Sequence, residues 1–129
     1  MPKILVVEDN ENNRSLIRDI LLYNGYDVIE ASDGVEGIRM AKVHKPDLIL
    51  MDMHMPRMDG TKAIRFLKAD PETKGIKIIA ITSLAMSGDR ERILGIGCDG
   101  YITKPINTRG LPSVLNKFLT EEQINRTPI

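Results

Sequence analysis

The sequence lacks a net charge of either sign, because its 18 lysine and arginine residues balance its 18 aspartate and glutamate residues. No general electrostatic attraction to nucleic acid, to an anionic membrane or to an acidic partner is therefore expected. The longest uninterrupted apolar runs are only a few residues, whereas a membrane-spanning helix needs about 20. The composition predicts a soluble protein that binds neither nucleic acid nor membrane and selects its protein partners through local surfaces.

Cysteine is scarce as well, since Cys98 is the only one in the chain and no internal disulfide can form. Met1 leads directly into Pro2, Lys3 and a strand-like run, so the pattern of a secretory signal peptide is missing. Both absences favour a reducing, cytoplasmic location. Cys98 itself is interpreted as a small packed residue rather than a redox centre.

The chain length of 129 residues, of which 42% are hydrophobic, is typical of one globular domain. Five short apolar runs have the length of strands. The first, third and fourth are continuously apolar, as parallel strands covered by helices on both faces are, and the second alternates in polarity, which indicates an edge position. The five runs are Ile4–Val7, Tyr26–Ala31, Leu48–Met51, Ile78–Ile81 and Tyr101–Ile102.

Segments with helical spacing of apolar residues follow these runs. Asn24-Gly25 can end the first helix, Ser32-Asp33 can cap the second, and Pro46 and Pro71 interrupt further helical turns. The fourth segment has the weakest pattern, because glycines at 88, 95 and 97 loosen it. This alternation predicts a doubly wound α/β fold, in which right-handed crossovers join a five-stranded parallel sheet with helices on both faces.

Polar and charged side chains follow four of the predicted strands. Glu8 and Asp9 follow the first strand, and Asp52 closes the third. Thr82 follows the fourth strand and Lys104 the fifth. Because the carboxyl ends of parallel strands meet at one edge, where α/β proteins bind ligands, these side chains are expected to lie together.

Three neighbouring carboxylates repel one another, and a hard divalent cation between them relieves the repulsion. Asp9 and Asp52 are predicted as ligands of Mg²⁺, with Glu8 assisting through water and with Mn²⁺ as an alternative ion. Asp52 is also a nucleophile suited to phosphoryl transfer, while Lys104 and the metal would stabilise charge on the transferred group. Each acid alone could be a helix cap and Lys104 alone a solvated side chain, but their conjunction favours the functional interpretation.

Four stretches at these positions give the sequence its resemblance to a known family. They are ILVVEDN at 4–10, PDLILMDMHMPRMDG at 46–60, AITS at 80–83 and the pair Lys104-Pro105. Over about residues 2 to 120 the chain resembles the receiver domain of bacterial two-component response regulators, in particular the single-domain, DivK-like members. The resemblance implies the (βα)5 topology called flavodoxin-like or CheY-like.

The resemblance also implies a role for each matching position. Asp52 would accept a phosphoryl group from a histidine kinase or a histidine phosphotransfer protein, and Thr82 would then move its hydroxyl onto that group, followed inward by Tyr101. The Lys104–Pro105 peptide bond is expected to be cis, since only an X–Pro bond adopts that form at modest cost. The implied metal site comprises Glu8, Asp9, Asp52 and the main-chain carbonyl of His54, and the implied phosphoryl partners are Thr82 and Lys104. The side chain of His54 is interpreted as a solvated loop residue rather than as a metal ligand.

The same resemblance predicts a receiver domain over residues 1 to 122 and a short polar tail over residues 123 to 129, without an output domain. Output would then be a protein contact. The phosphorylated protein is expected to bind an effector through residues 85–97 and 101–115, which include the fourth helix, the fifth strand and the fifth helix. The chain is expected to be a monomer or a weak dimer. It would not be a conventional enzyme, although it would support its own phosphorylation and slow autodephosphorylation.

Three other functions fit parts of the sequence. A phosphohydrolase of the haloacid dehalogenase type needs an acid two residues after its nucleophile, where this chain has His54. A flavodoxin-like mononucleotide carrier needs a phosphate-cradling loop after the first strand, where the acidic run Glu8–Glu11 would repel phosphate. A receiver-like docking module that is never phosphorylated is disfavoured, because no residue of the phosphoacceptor set is missing.

Overall fold

The computed structural model describes residues 2–55, 58, 60–83 and 87–119, and these ranges alternate five strands with five helices. The strands are β1 (Lys3–Val7), β2 (Asp27–Ala31), β3 (Leu48–Asp52), β4 (Lys77–Thr82) and β5 (Gly100–Thr103). The helices are α1 (Glu11–Tyr23), α2 (Gly34–His44), α3 (Gly60–Ala69), α4 (Ser87–Ile96) and α5 (Leu111–Phe118). The predicted order of elements is confirmed. The tail predicted for residues 123 to 129 lies outside the described ranges.

All neighbouring strands of the sheet pair in parallel, in the order β2-β1-β3-β4-β5. The alternating strand β2 is an edge strand, as its polarity pattern predicted. The continuously apolar strands β1, β3 and β4 are the three central ones, where both faces are covered. Because the strand order reverses at β1, a crevice is expected beyond the carboxyl ends of β1 and β3.

Successive residues of the central strands point to opposite faces of the sheet, and each face carries its own hydrophobic core. On one face, Leu5, Ile49 and Ile78 belong to a cluster with Ala63, Ile64 and Leu67 of α3. On the other face, Ile4, Leu48 and Ile79 belong to a cluster with apolar residues of α1 and α5. Cys98 is buried in the first core, in agreement with the packing role predicted for it.

The ends of the first two helices follow the capping signals in the sequence. Asn10 caps α1 by accepting a hydrogen bond from the Asn13 main-chain N–H, and Asp33 caps α2 in the same way through the Glu36 N–H. Helix α1 ends at Asn24 and is followed by Gly25 with φ of 86°. Helix α2 ends two residues before Pro46, as predicted.

The weakly patterned fourth segment does form a helix, α4, which spans Ser87–Ile96. Gly97 ends it with φ of 121°, a backbone conformation that glycine adopts readily. Helix α4 enters the first core through the buried Ile93, and its partly buried Ile96 packs against the same core. Among the described ranges, no helix combines the length and apolar character needed to cross a membrane.

Candidate functional site

The residues singled out in the sequence converge at the carboxyl edge of the sheet. Glu8 follows β1 directly, while Asp52 and Thr82 are the last residues of β3 and β4. Lys104 follows β5, and its main-chain N–H donates a 2.8 Å hydrogen bond to the Thr82 carbonyl oxygen. Pairing of β3 with β1 and β4 therefore carries Asp52 to the centre of the group.

Three carboxylates form the acidic part of the site. Glu8, Asp9 and Asp52 each offer an oxygen, and these atoms lie within 4.8 Å of one another. Glu8 and Asp52 are each 1% exposed, whereas Asp9 is exposed to solvent. The site thus combines two buried acids with one that faces the opening.

Lys104 supplies the positive charge of the site. Its Nζ atom lies 3.3 Å from Asp52 Oδ1 and 3.8 Å from Glu8 Oε1, so it bonds to Asp52 and faces Glu8 at longer range. The His54 main-chain N–H donates a 3.0 Å hydrogen bond to the same Asp52 oxygen. The Lys104–Pro105 peptide bond is cis.

Burial raises the pKa of Glu8 from 4.5 to about 8, and the neighbouring Asp52 carboxylate acts in the same direction. Asn13 and Lys104 oppose this rise in pKa, because each favours the ionised carboxylate. A direct hydrogen bond between Glu8 and Asp52 would require a proton on one of them, since two carboxylates are both acceptors. A cation that binds both groups would replace that proton.

The donor set fits a hard divalent cation. Glu8 Oε2 and Asp52 Oδ2 are buried oxygens without a hydrogen-bond partner among the described residues. Buried anionic oxygens are costly unless a proton, a donor or a metal satisfies them. Carboxylate oxygens are the ligands that Mg²⁺ prefers, so the three acids suit this ion. The contribution of the His54 carbonyl stays a prediction.

Thr82 and His54 form the other wall of the site. The buried Thr82 hydroxyl oxygen lies 3.5 Å from Nε2 of His54, whose side chain is otherwise exposed, as predicted for a loop residue. A cavity of about 470 Å³ opens beside both residues, between them and the α4 residues Arg92 and Ile93. Tyr101, on β5, is partly buried against the first core.

Gly60 fixes the return of the chain from β3 into α3. A Cβ atom at this position would lie 2.6 Å from the Asp52 carbonyl oxygen and 2.8 Å from Met53 Cα. Only glycine allows so close an approach of the two backbones. Asp59, which precedes Gly60 in the chain, lies outside the described ranges.

Two residues that contact the site were missed in the sequence. Asn13 donates a 3.1 Å hydrogen bond from its amide to Glu8 Oε1, and Arg14 donates a 2.8 Å hydrogen bond to the Glu8 carbonyl oxygen. The available signal was the cap residue Asn10, which fixes the first turn of α1 and therefore the residues that face back toward β1.

The chain matches the family model of the response regulator receiver domain over residues 4–116. It is 42% identical over 120 residues to the polar-differentiation response regulator DivK of Brucella anthropi, which covers 92% of this chain and 98% of the relative. The DivK protein of Brucella ovis is 41% identical over 116 residues, with coverage of 90% and 94%.

Solved structures give the same likeness. The chemotaxis protein CheY4 of Vibrio cholerae is 28% identical, superposes with a TM-score of 0.87 and covers 92% of this chain and 99% of its own. The receiver domain of a sensor histidine kinase from Pseudomonas aeruginosa is 37% identical with a TM-score of 0.83, covering 91% of this chain and 96% of its own. That receiver domain was solved with a magnesium ion coordinated in its active site cleft.

Proposed function

Since this chain belongs to the family of response regulator receiver domains of two-component signalling, we propose that Asp52 is its phosphoacceptor and that phosphorylation switches a protein-binding surface. One observation carries the proposal: Glu8 and Asp52 are buried side by side next to Lys104, and each has an oxygen without a hydrogen-bond partner among the described residues. Buried acids are costly to a purely structural core. Their position beside Lys104 supports a site built for an anionic group and its counter-ion.

In this mechanism the Asp52 carboxylate attacks the phosphorus atom of a phosphohistidine. A P–O bond forms, the P–N bond breaks, and the imidazole leaves with the bonding electron pair and takes up a proton from solvent. Lys104, already 3.3 Å from Asp52, would pair with an oxygen of the transferred group. The His54 N–H holds Asp52 Oδ1 and so restricts rotation of the nucleophile.

Mg²⁺ is the proposed cofactor, held by Asp9 and Asp52 with Glu8 as an additional or water-mediated ligand, and with Mn²⁺ as the alternative. When bound it would neutralise the carboxylates and part of the charge of the phosphoryl group. The unsatisfied oxygens of Glu8 and Asp52 support this assignment.

Phosphodonor docking is proposed at a groove of about 450 Å³ that opens beside Glu8 and Lys104. Its walls include Leu16 of α1, which is 51% exposed, and Pro105 and Ile106 after β5. An apolar wall beside a charged site suits a protein surface that must seal water from the transfer. A histidine kinase or a histidine phosphotransfer protein would be the donor.

The output is proposed to be a protein contact of α4, β5 and α5. Thr82 would move toward the phosphoryl group, away from its 3.5 Å approach to His54. Tyr101, which lies on the strand next to β4, would follow. The proposed surface begins at residue 85, and residues 85 and 86 lie outside the described ranges.

The alternatives are less well supported. His54 occupies the position where a haloacid dehalogenase-type phosphohydrolase needs its general acid, and the acids Glu8 and Asp9 occupy the place of a nucleotide carrier's phosphate loop. We therefore propose a phosphoacceptor with slow self-dephosphorylation rather than a conventional enzyme. A cytoplasmic location is proposed with it, in keeping with the single, buried cysteine.

An NMR comparison tests the switch. Wild type with Mg²⁺ is titrated with beryllofluoride, an acyl-phosphate mimic, and Asp52→Asn serves as the control. We expect amide shift changes at Thr82 and Tyr101 and along α4, β5 and α5 in wild type only. Changes confined to the residues around Asp52 would contradict a switched surface.

A further inference from the structure

The buried carboxylate of Glu8 depends on a neutral donor from outside the acidic cluster. Glu8 Oε1 accepts a 3.1 Å hydrogen bond from the Asn13 amide, while Lys104 Nζ stays 3.8 Å away from the same oxygen. The other oxygen, Oε2, has no partner among the described residues. One oxygen of Glu8 is thus held from α1, and the other remains available to a ligand.

The position of Asn13 is itself fixed by the start of α1. Its main-chain N–H donates a 2.9 Å hydrogen bond to the side chain of Asn10, the cap of that helix. The next residue, Arg14, donates to the Glu8 carbonyl oxygen and lies 3.4 Å from Glu30 on β2. The main chain and the carboxylate of Glu8 are therefore both held by the first turn of α1.

We propose that Asn13 is a positioning residue of the metal site: its amide holds the Glu8 carboxylate so that the second oxygen faces the cation. The proposal rests on the proposed function, since it assumes that Glu8 serves a bound Mg²⁺. A neutral amide suits this role, because it donates a hydrogen bond without adding a positive charge that would repel the ion.

Lys104 cannot replace Asn13 in this role. Lys104 is closer to Asp52 than to Glu8, at 3.3 Å against 3.8 Å, and it would pair with the phosphoryl group during transfer. Asn13 then remains the donor that keeps Glu8 oriented. The Asn13 amide would hold the Glu8 carboxylate both before and after phosphorylation.

The test is the Mg²⁺ dissociation constant of metal-free protein, measured by isothermal titration calorimetry for wild type, Asn13→Ala and Asn13→Leu. Asn12→Ala is the matched control, because Asn12 is an exposed neighbour of the same type without a side-chain hydrogen bond among the described residues. Loss of a group that orients a metal ligand commonly weakens binding by about 10-fold or more, so we expect that loss at position 13 and less than about twofold at position 12.

A second readout separates positioning from a general effect on folding. The side-chain carboxyl ¹³C resonance of Glu8 in metal-free protein is expected to shift in both Asn13 variants and not in Asn12→Ala. Asn13 is exposed and alanine and leucine favour helices, so the variants are expected to fold.

The outcomes are distinguishable. Equal Mg²⁺ constants for wild type and the Asn13 variants would overturn the positioning role alone. An equal loss of Mg²⁺ affinity in Asn12→Ala, or an unchanged Glu8 resonance in the Asn13 variants, would also overturn the positioning role. A wild-type chain that binds no Mg²⁺ would overturn the proposed function and this role with it.

Discussion

At the scale of single residues, two buried carboxylates share one ammonium group. Lys104 lies within 4 Å of both Glu8 and Asp52, yet each acid keeps an unsatisfied oxygen among the described residues. Such a site holds excess negative charge in a low-dielectric place, and it is relieved by a proton or by a metal ion. The raised pKa of Glu8, about 8, follows from this arrangement.

The pH dependence of metal-free stability tests this electrostatic picture. Glu8 has a pKa of 4.5 as an ordinary residue and of about 8 when folded, so the folded state binds the extra proton between these values. The free energy of unfolding should therefore fall as pH rises from about 4.5 to about 8. We expect wild type in EDTA to have a lower urea midpoint at about pH 8 than at about pH 5.5. Glu8→Gln should lose most of this difference.

The matched control is Glu11→Gln, which removes an exposed acid from the first turn of α1. This variant should keep the wild-type decrease of the urea midpoint between pH about 5.5 and about 8. Asp52, Lys104 and Asn13 are the groups that face Glu8, and neither variant substitutes any of them. A Glu8→Gln variant with the full wild-type slope would show that Glu8 is not the titrating group.

At the scale of elements, short contacts of the main chain determine where the site residues lie. The β3-α3 connection brings Gly60 against the carbonyl of Asp52. At the opposite edge of the sheet, Asp99 accepts hydrogen bonds from the Ile78 N–H and from Lys68 of α3, which ties the turn before β5 to β4. Strands β4 and β5 are thus tied together at both of their ends, and Thr82 and Lys104 are held in register.

Alanine at two glycines should have opposite effects on stability. Gly60→Ala places a Cβ atom against backbone and is expected to destabilise the protein by about 1–3 kcal/mol. Gly95→Ala, at an exposed site of α4 with nothing within 4 Å, should stabilise it by up to about 1 kcal/mol. Urea unfolding of the two variants measures both. Equal stability of Gly60→Ala and wild type would refute the close approach at Asp52.

At the scale of the whole molecule, the alternation of apolar runs and helical segments was enough to predict the parallel sheet and the edge position of β2. It was also enough to predict that Glu8, Asp52, Thr82 and Lys104 lie at one edge of the sheet, because this location follows from parallel pairing alone. The contacts of Asn13 with Glu8 could not be predicted, because they depend on the rotation of α1 about its axis. The closer approach of Lys104 to Asp52 than to Glu8 could not be predicted either, because the two distances, 3.3 Å and 3.8 Å, differ so little.

The central claim is that Asp52 accepts a phosphoryl group in a reaction that needs a divalent cation. The most direct measurement is the intact mass of wild type and of the isosteric Asp52→Asn variant after incubation with acetyl phosphate, each with Mg²⁺ and with EDTA. The proposed function predicts one phosphoryl adduct on wild type with Mg²⁺ and none in the other three samples. An adduct on Asp52→Asn, or none on wild type with Mg²⁺, would contradict it and favour a docking module that works without phosphorylation.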